Sequence, residues 1–123
     1  MITEDYCSYE LAKLLKEKGF DEESPCYYSP IGSIYYNTHW TERDTNWISR
    51  PTHQLACKWL REVHDVCIFL DAYHPFIVPY NGKRVYVYRI MKEDKFLDKC
   101  SSYYDTYEEA TEAAIKYCLE NLI

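Results

Sequence analysis

The sequence predicts an α+β fold, a single domain with an antiparallel sheet of about three to five strands and about three helices packed on it. Three observations predict this class. Helix signals occur near both ends and in the middle of the chain. Short runs rich in tyrosine, valine and isoleucine follow one another without an intervening helix. The strict alternation of strands and helices that a doubly wound α/β fold needs is missing.

The chain length supports one domain. Its 123 residues are enough to bury a core and too few for two domains of typical size. The sequence therefore predicts a single α+β domain over residues 1–123.

The first predicted helix covers residues 8–18, with Ser8 as its N-cap and a stripe of leucines on one face. Two aromatic runs follow around Ser-Pro-Ile-Gly, and they predict a hairpin with strands near residues 26–28 and 33–36. Residues 37–51 have neither helical nor strand periodicity, so they are predicted to form a loop.

The second predicted helix follows Thr52, a suitable N-cap, and ends near His64. At about 100° per residue its apolar side chains gather on one face, centred near Trp59 and Val63. The predicted core residues of this face are Leu55, Ala56, Trp59, Leu60 and Val63.

The second half of the chain predicts further strands. The apolar run at residues 66–73 is typical of a buried strand. Asn81 and Gly82 predict a tight hairpin between the runs FIVPY and KRVYVYRIM, although Pro79 would hold the first run at an edge or leave it irregular. Another strand is predicted within residues 96–104.

The closing helix is predicted at about residues 107–121. Thr106 and Glu109 have the spacing of a capping box, in which each side chain bonds the backbone N–H of the other residue. Ala110, Ala113 and Ala114 give this helix a small-residue face. A face of this kind would let the helix lie close against the sheet.

Composition limits the function classes. The net charge is −6 and the basic residues form no run, so direct nucleic-acid binding is not expected. No apolar segment approaches the roughly 20 residues of a membrane span, and the first ten residues lack the pattern of a secretory signal. The sequence thus predicts an acidic, tyrosine-rich cytoplasmic protein.

Common cofactor and metal motifs are missing. The three glycines do not form a Rossmann or Walker phosphate loop. The six cysteines are scattered, with no C-x-x-C, H-x-x-x-H or H-E-x-x-H motif. We therefore predict reduced thiols, no cofactor, no metal site and no catalytic residue.

One histidine–cysteine pair keeps an alternative open. His53 and Cys57 lie one turn apart, roughly 85° and 125° from the centre of the predicted core face, so we expect them to flank the core or face solvent. A metal site would need further ligands from His39, His74 or a distant acidic residue. A small Cys/His enzyme or metal-binding protein therefore remains an alternative.

The segment between the first hairpin and the second helix has the composition of a binding surface. Trp, Tyr and Arg anchor interfaces, and binding groups often lie on loops that a scaffold holds. An alternative is that the tryptophans close one end of the core. The predicted binding residues are Tyr35, Tyr36, His39, Trp40, Arg43 and Trp47.

Three stretches, SYELAKLLKEKGFDE, PTHQLACKWLREVHDVCI and YDTYEEATEAAIKYCLENLI, together resemble a set of short uncharacterised proteins of gut Bacteroides-type bacteria and their phages. The resemblance follows the order and spacing of the three helices across nearly the whole chain. His53 departs from it, because Gln is expected directly after Thr52 and here stands one place later. The resemblance implies a small soluble protein and supplies no known activity, cofactor or catalytic residue.

The leading expectation is a non-enzymatic module that binds an unknown protein partner or associates with itself. A second alternative, based on charge and on the resemblance, is an acidic phage-type inhibitor of a host enzyme.

Overall fold

The computed structural model describes residues 2–36, 46–97 and 102–123. It confirms the α+β class, with three helices and six strands. In chain order these are α1 (Tyr9–Glu17), β1 (Cys26–Tyr28), β2 (Ile34–Tyr36), β3 (Ile48–Ser49), α2 (His53–His64), β4 (Val66–Tyr73), β5 (Val85–Lys92), β6 (Lys95–Phe96) and α3 (Tyr107–Asn121). Among the helices described, none is long and apolar enough to cross a bilayer.

The strands form two antiparallel sheets of three strands each. Within the described ranges the first sheet has the order β2-β1-β3, with β2 on one outer side, and the second has the order β4-β5-β6. β4 and β5 pair along their whole length, from Val66 opposite Lys92 to Tyr73 opposite Val85. The predicted loop over residues 37–51 is wrong at its end, because β3 pairs with β1 there.

Each helix begins at the predicted N-cap. The side chains of these caps accept a hydrogen bond from the backbone N–H three residues later, which satisfies one of the free donors of the first turn. The pairs are Ser8 with Leu11, Thr52 with Leu55, and Thr106 with Glu109.

The connection from β4 to β5 differs from the predicted hairpin. Residues 74–84 contain turns and no strand, so the predicted strand FIVPY is wrong. Pro79 has no N–H to donate to a sheet. Asn81 and Gly82 do form a turn with positive φ, and a Cβ added at Gly82 would lie 2.8 Å from Cε1 of Phe76. The φ of +83° at Gly82 is one that other residues rarely adopt, so glycine is favoured at this turn.

The main core lies between the three helices and one face of the second sheet. Ala56, Trp59 and Leu60 of α2 are buried as predicted. Val63 is 59% exposed, so its predicted place in the core is wrong. Periodicity gives the direction of a side chain but not how far the neighbouring layer extends. In the last turn His64 packs against Trp59 instead, with ring centroids 4.7 Å apart.

Candidate functional site

The predicted binding residues do not all have the same environment. Tyr35 and Tyr36 are exposed on the outer strand β2. Trp47 is partly buried, with its ring centroid 5.0 Å from that of Tyr35 and 6.1 Å from that of Tyr27. The structure therefore joins three of the six predicted residues around the first sheet. The other three, His39, Trp40 and Arg43, lie outside the described residues.

The β1–β2 hairpin presents an apolar surface without charges of its own. Ile31, Ile34, Tyr35 and Tyr36 are all exposed on this hairpin, and we term these four residues the hairpin surface. No Asp, Glu, Lys or Arg occurs in residues 24–41, although 28% of the chain is charged. Large exposed apolar patches on a protein surface often mark interaction sites.

A second candidate site lies where the N-terminal segment meets the start of α2. The backbone N–H of Cys7 donates to the carbonyl of Pro51 at 2.9 Å, and the N–H of His53 donates to the carbonyl of Asp5 at 2.8 Å. These two backbone hydrogen bonds hold the Cys7 and His53 side chains next to each other. Residues far apart in sequence thereby share one site.

Glu112, from the middle of α3, completes this junction. Its Oε1 lies 2.9 Å from Nε2 of His53 and accepts from the N–H of Ser8 at 3.3 Å. The Ser8 hydroxyl donates to Oε2. Burial acts to raise the pKa of Glu112, but the hydrogen bonds from His53 and Ser8 outweigh it and hold that pKa below its usual value. The ionised carboxylate thus ties three segments of the chain together.

The junction holds three potential metal-ligating atoms. Sγ of Cys7, a ring nitrogen of His53 and a carboxylate oxygen of Glu112 lie within 4.8 Å of one another, and we term these residues the junction cluster. The Cys7 residue is fully buried, whereas the side chains of His53 and Glu112 are 12% and 31% exposed. All three line a cleft of about 590 Å³, the junction cleft.

Arg50 adds a cation to the wall of the junction cleft. Its Cζ lies 4.2 Å from the ring centroid of Tyr6, and its Nε donates to the Tyr28 hydroxyl at 3.3 Å. That hydroxyl in turn donates to the carbonyl of Cys7 at 2.7 Å. Arg50 also reaches the Tyr36 hydroxyl at 3.3 Å, so the cleft adjoins the hairpin.

His53 and Cys57 are both half-buried beside the core face of α2, which is the first of their two predicted positions. The buried face is centred nearer Ala56 and Leu60, and His53 lies only about 60° from Ala56 at 100° per residue. His53 therefore flanks the core rather than facing solvent. It shares a second cavity of about 390 Å³ with Cys57.

The sequence indicated His53 but missed two of its partners. Glu112 lies 59 residues away, so no short spacing links it to His53. Cys7 precedes a helix cap and resembles an ordinary buried thiol in sequence. Cys57 belongs to no group of three such ligands within the described parts of the chain. The sequence indicated only that a metal site at His53 would need further ligands, one of which could be an acidic residue far away in the chain.

Cys57 is expected to be a poor nucleophile. Burial raises its pKa to about 11, against a smaller opposing effect of Arg61. At pH 8 its thiolate fraction would be lower than that of an ordinary cysteine by roughly two orders of magnitude. Mass-spectrometric mapping of iodoacetamide alkylation should show slow modification of native protein and fast modification in urea. Equal rates in both states would contradict this environment.

Comparison with family models, with curated proteins and with solved structures found no match for this chain.

Proposed function

We propose that the protein is a non-enzymatic module that associates with a second copy of itself through the hairpin surface. Two observations together support this proposal. Residues 24–41 contain no charged side chain, and the hairpin exposes Ile31, Ile34, Tyr35 and Tyr36. Aromatic and aliphatic groups of this kind supply most of the binding energy in interface centres.

Charge favours a second copy as the occupant. Two chains of net charge −6 repel each other as they approach. A segment with no charged residue of its own is where two such chains can approach with the least repulsion. A partner selected by opposite charge would instead be expected to meet acidic side chains.

The place of β2 in the sheet supports the same proposal. Among the described strands, β2 is one of the two outer strands of its sheet, in the order β2-β1-β3. Two copies related by a twofold axis can bring the same strand together in antiparallel orientation, which gives a closed dimer. Ile34 and Tyr36 would then lie near the axis.

A charged residue in the hairpin surface should break the dimer. Ile34→Glu places a carboxylate in the interface, where it would be desolvated without a partner, so we expect the dissociation constant to rise by more than about tenfold. Size-exclusion chromatography with light scattering, from low micromolar to submillimolar protein, measures this effect. Val78→Glu is the matched control, because Val78 is 86% exposed on the β4–β5 connection.

Three outcomes decide the proposal. A dimer in wild-type protein and Val78→Glu, with a monomer in Ile34→Glu, supports it. A wild-type protein that stays monomeric throughout the concentration range contradicts it. Loss of the dimer only in Val78→Glu would place the interface on the β4–β5 connection and also contradict it.

A further inference from the structure

We propose that the junction cluster of Cys7, His53 and Glu112 binds one divalent transition-metal ion of the zinc type. This site is separate from the hairpin surface, and its metal binding does not depend on self-association. The proposal rests on the three ligand atoms that converge from three different segments of the fold.

The donor set selects the class of metal. One sulfur, one imidazole nitrogen and one carboxylate oxygen suit Zn²⁺ and the similar ions Co²⁺ and Fe²⁺. Mg²⁺ and Ca²⁺ prefer sites made entirely of oxygen ligands. The junction cluster is therefore expected to discriminate against these two abundant ions.

The geometry needs only small adjustments. Zinc–ligand bonds of about 2.0–2.3 Å at tetrahedral angles place the ligand atoms about 3.4–3.6 Å apart. The present separations are all within 4.8 Å, and Nε2 of His53 lies 2.9 Å from Oε1 of Glu112. No pair of ligand atoms therefore has to approach by more than about 1.4 Å to reach the spacing of a tetrahedral site. The second oxygen of Glu112 can keep its hydrogen bond with Ser8.

Backbone contacts hold two of these ligands in place before any ion binds. The N–H of Cys7 bonds to Pro51 and its carbonyl accepts from Tyr28, while the N–H of His53 bonds to Asp5. A site whose ligands are already positioned loses little conformational entropy when an ion binds.

The junction cleft gives the ion a path from solvent and leaves room for a water molecule or a small ligand as the fourth ligand. Glu112 and His53 are partly exposed to it, so an ion can enter from solvent. Three protein ligands and one position open to a cleft match zinc sites that keep a water molecule or accept a small ligand. Binding releases the thiol proton of Cys7 to solvent, and His53 binds as neutral imidazole with its proton on the other ring nitrogen.

Cobalt spectroscopy tests the site directly. Metal-free reduced protein is titrated with Co²⁺, and a Co²⁺–thiolate bond gives a charge-transfer absorption in the near ultraviolet. We expect saturation at one equivalent per chain, displacement by Zn²⁺ and no competition from Mg²⁺. The monomeric variant Ile34→Glu should behave in the same way, which separates this test from the proposed self-association.

Matched variants identify the ligands. Cys7→Ser should lose the charge-transfer band, and Glu112→Gln should weaken binding by more than about tenfold, since even outer partners of a metal site contribute that much. Cys57→Ser, the same change one turn after His53, should keep both band and stoichiometry. Circular dichroism checks that each variant is folded, and Glu112→Gln decides the question if Cys7→Ser does not fold.

Two results would contradict the proposed metal site. Wild-type protein without stoichiometric Co²⁺ or Zn²⁺ binding would overturn the proposal. A band that survives in Cys7→Ser and disappears in Cys57→Ser would overturn it as well, because the thiol ligand would then be Cys57.

Discussion

Trp59→Ala is expected to lower the free energy of unfolding by about 3–5 kcal/mol, the usual cost of truncating a large buried aromatic side chain. Trp59 is 6% exposed, and its ring packs edge-on against Phe20, with centroids 5.4 Å apart, and against His64. Its removal leaves a cavity between α2 and the segment after α1. Urea unfolding followed by far-ultraviolet circular dichroism measures the loss.

Val63→Ala is the control for this prediction. The periodicity of α2 assigns Val63 and Trp59 to the same face, but Val63 is exposed. We therefore expect a change within about 0.5 kcal/mol, as for most surface substitutions. A loss at Val63 similar to that at Trp59 would show that the last turn of α2 is buried and would contradict the described core.

Glu112→Ala is expected to lower the free energy of unfolding by about 1–3 kcal/mol. The variant removes the acceptor of hydrogen bonds from the Ser8 N–H, the Ser8 hydroxyl and His53. The His53 ring, which is largely buried, then lacks a partner for Nε2, and an unsatisfied group of this kind carries a cost of about that size. Chemical denaturation in metal-free buffer measures the effect without any contribution from an ion.

Glu120→Ala provides the comparison on the same helix. Glu120 is exposed, so this variant should stay within about 0.5 kcal/mol of the wild type. Equal effects at the two glutamates would mean that Glu112 contributes only its helix propensity and that the junction is not held by its carboxylate.

The sequence predicted those features that depend on local signals. Ser8, Thr52 and Thr106 were identified as N-caps because capping needs only a side-chain oxygen and a neighbouring backbone N–H. The strand at residues 66–73 was likewise predicted with the bounds that the structure has. Asn81 and Gly82 correctly indicated a turn, but the pairing of β4 with β5 across residues 74–84 is a long-range choice that no local signal contains.

The two candidate sites also differ in whether local sequence signals could predict them. Tyr35 and Tyr36 could be selected from composition, since exposed tyrosines on a short hairpin are typical of interfaces. The junction cluster could not be predicted, because Cys7, His53 and Glu112 come together only when α3 packs beside the start of α2. Spacing rules apply to ligands on one element, and here each ligand comes from a different one.

Amide hydrogen exchange at two protein concentrations tests whether two copies of the chain meet at the hairpin. Exchange slows where backbone is covered or newly hydrogen-bonded. We predict that residues 31–36 become more protected as the protein concentration rises, whereas residues 76–82 of the β4–β5 connection keep the same rates. Protection in residues 31–36 that does not depend on concentration, in samples where light scattering detects a dimer, would contradict self-association at the hairpin.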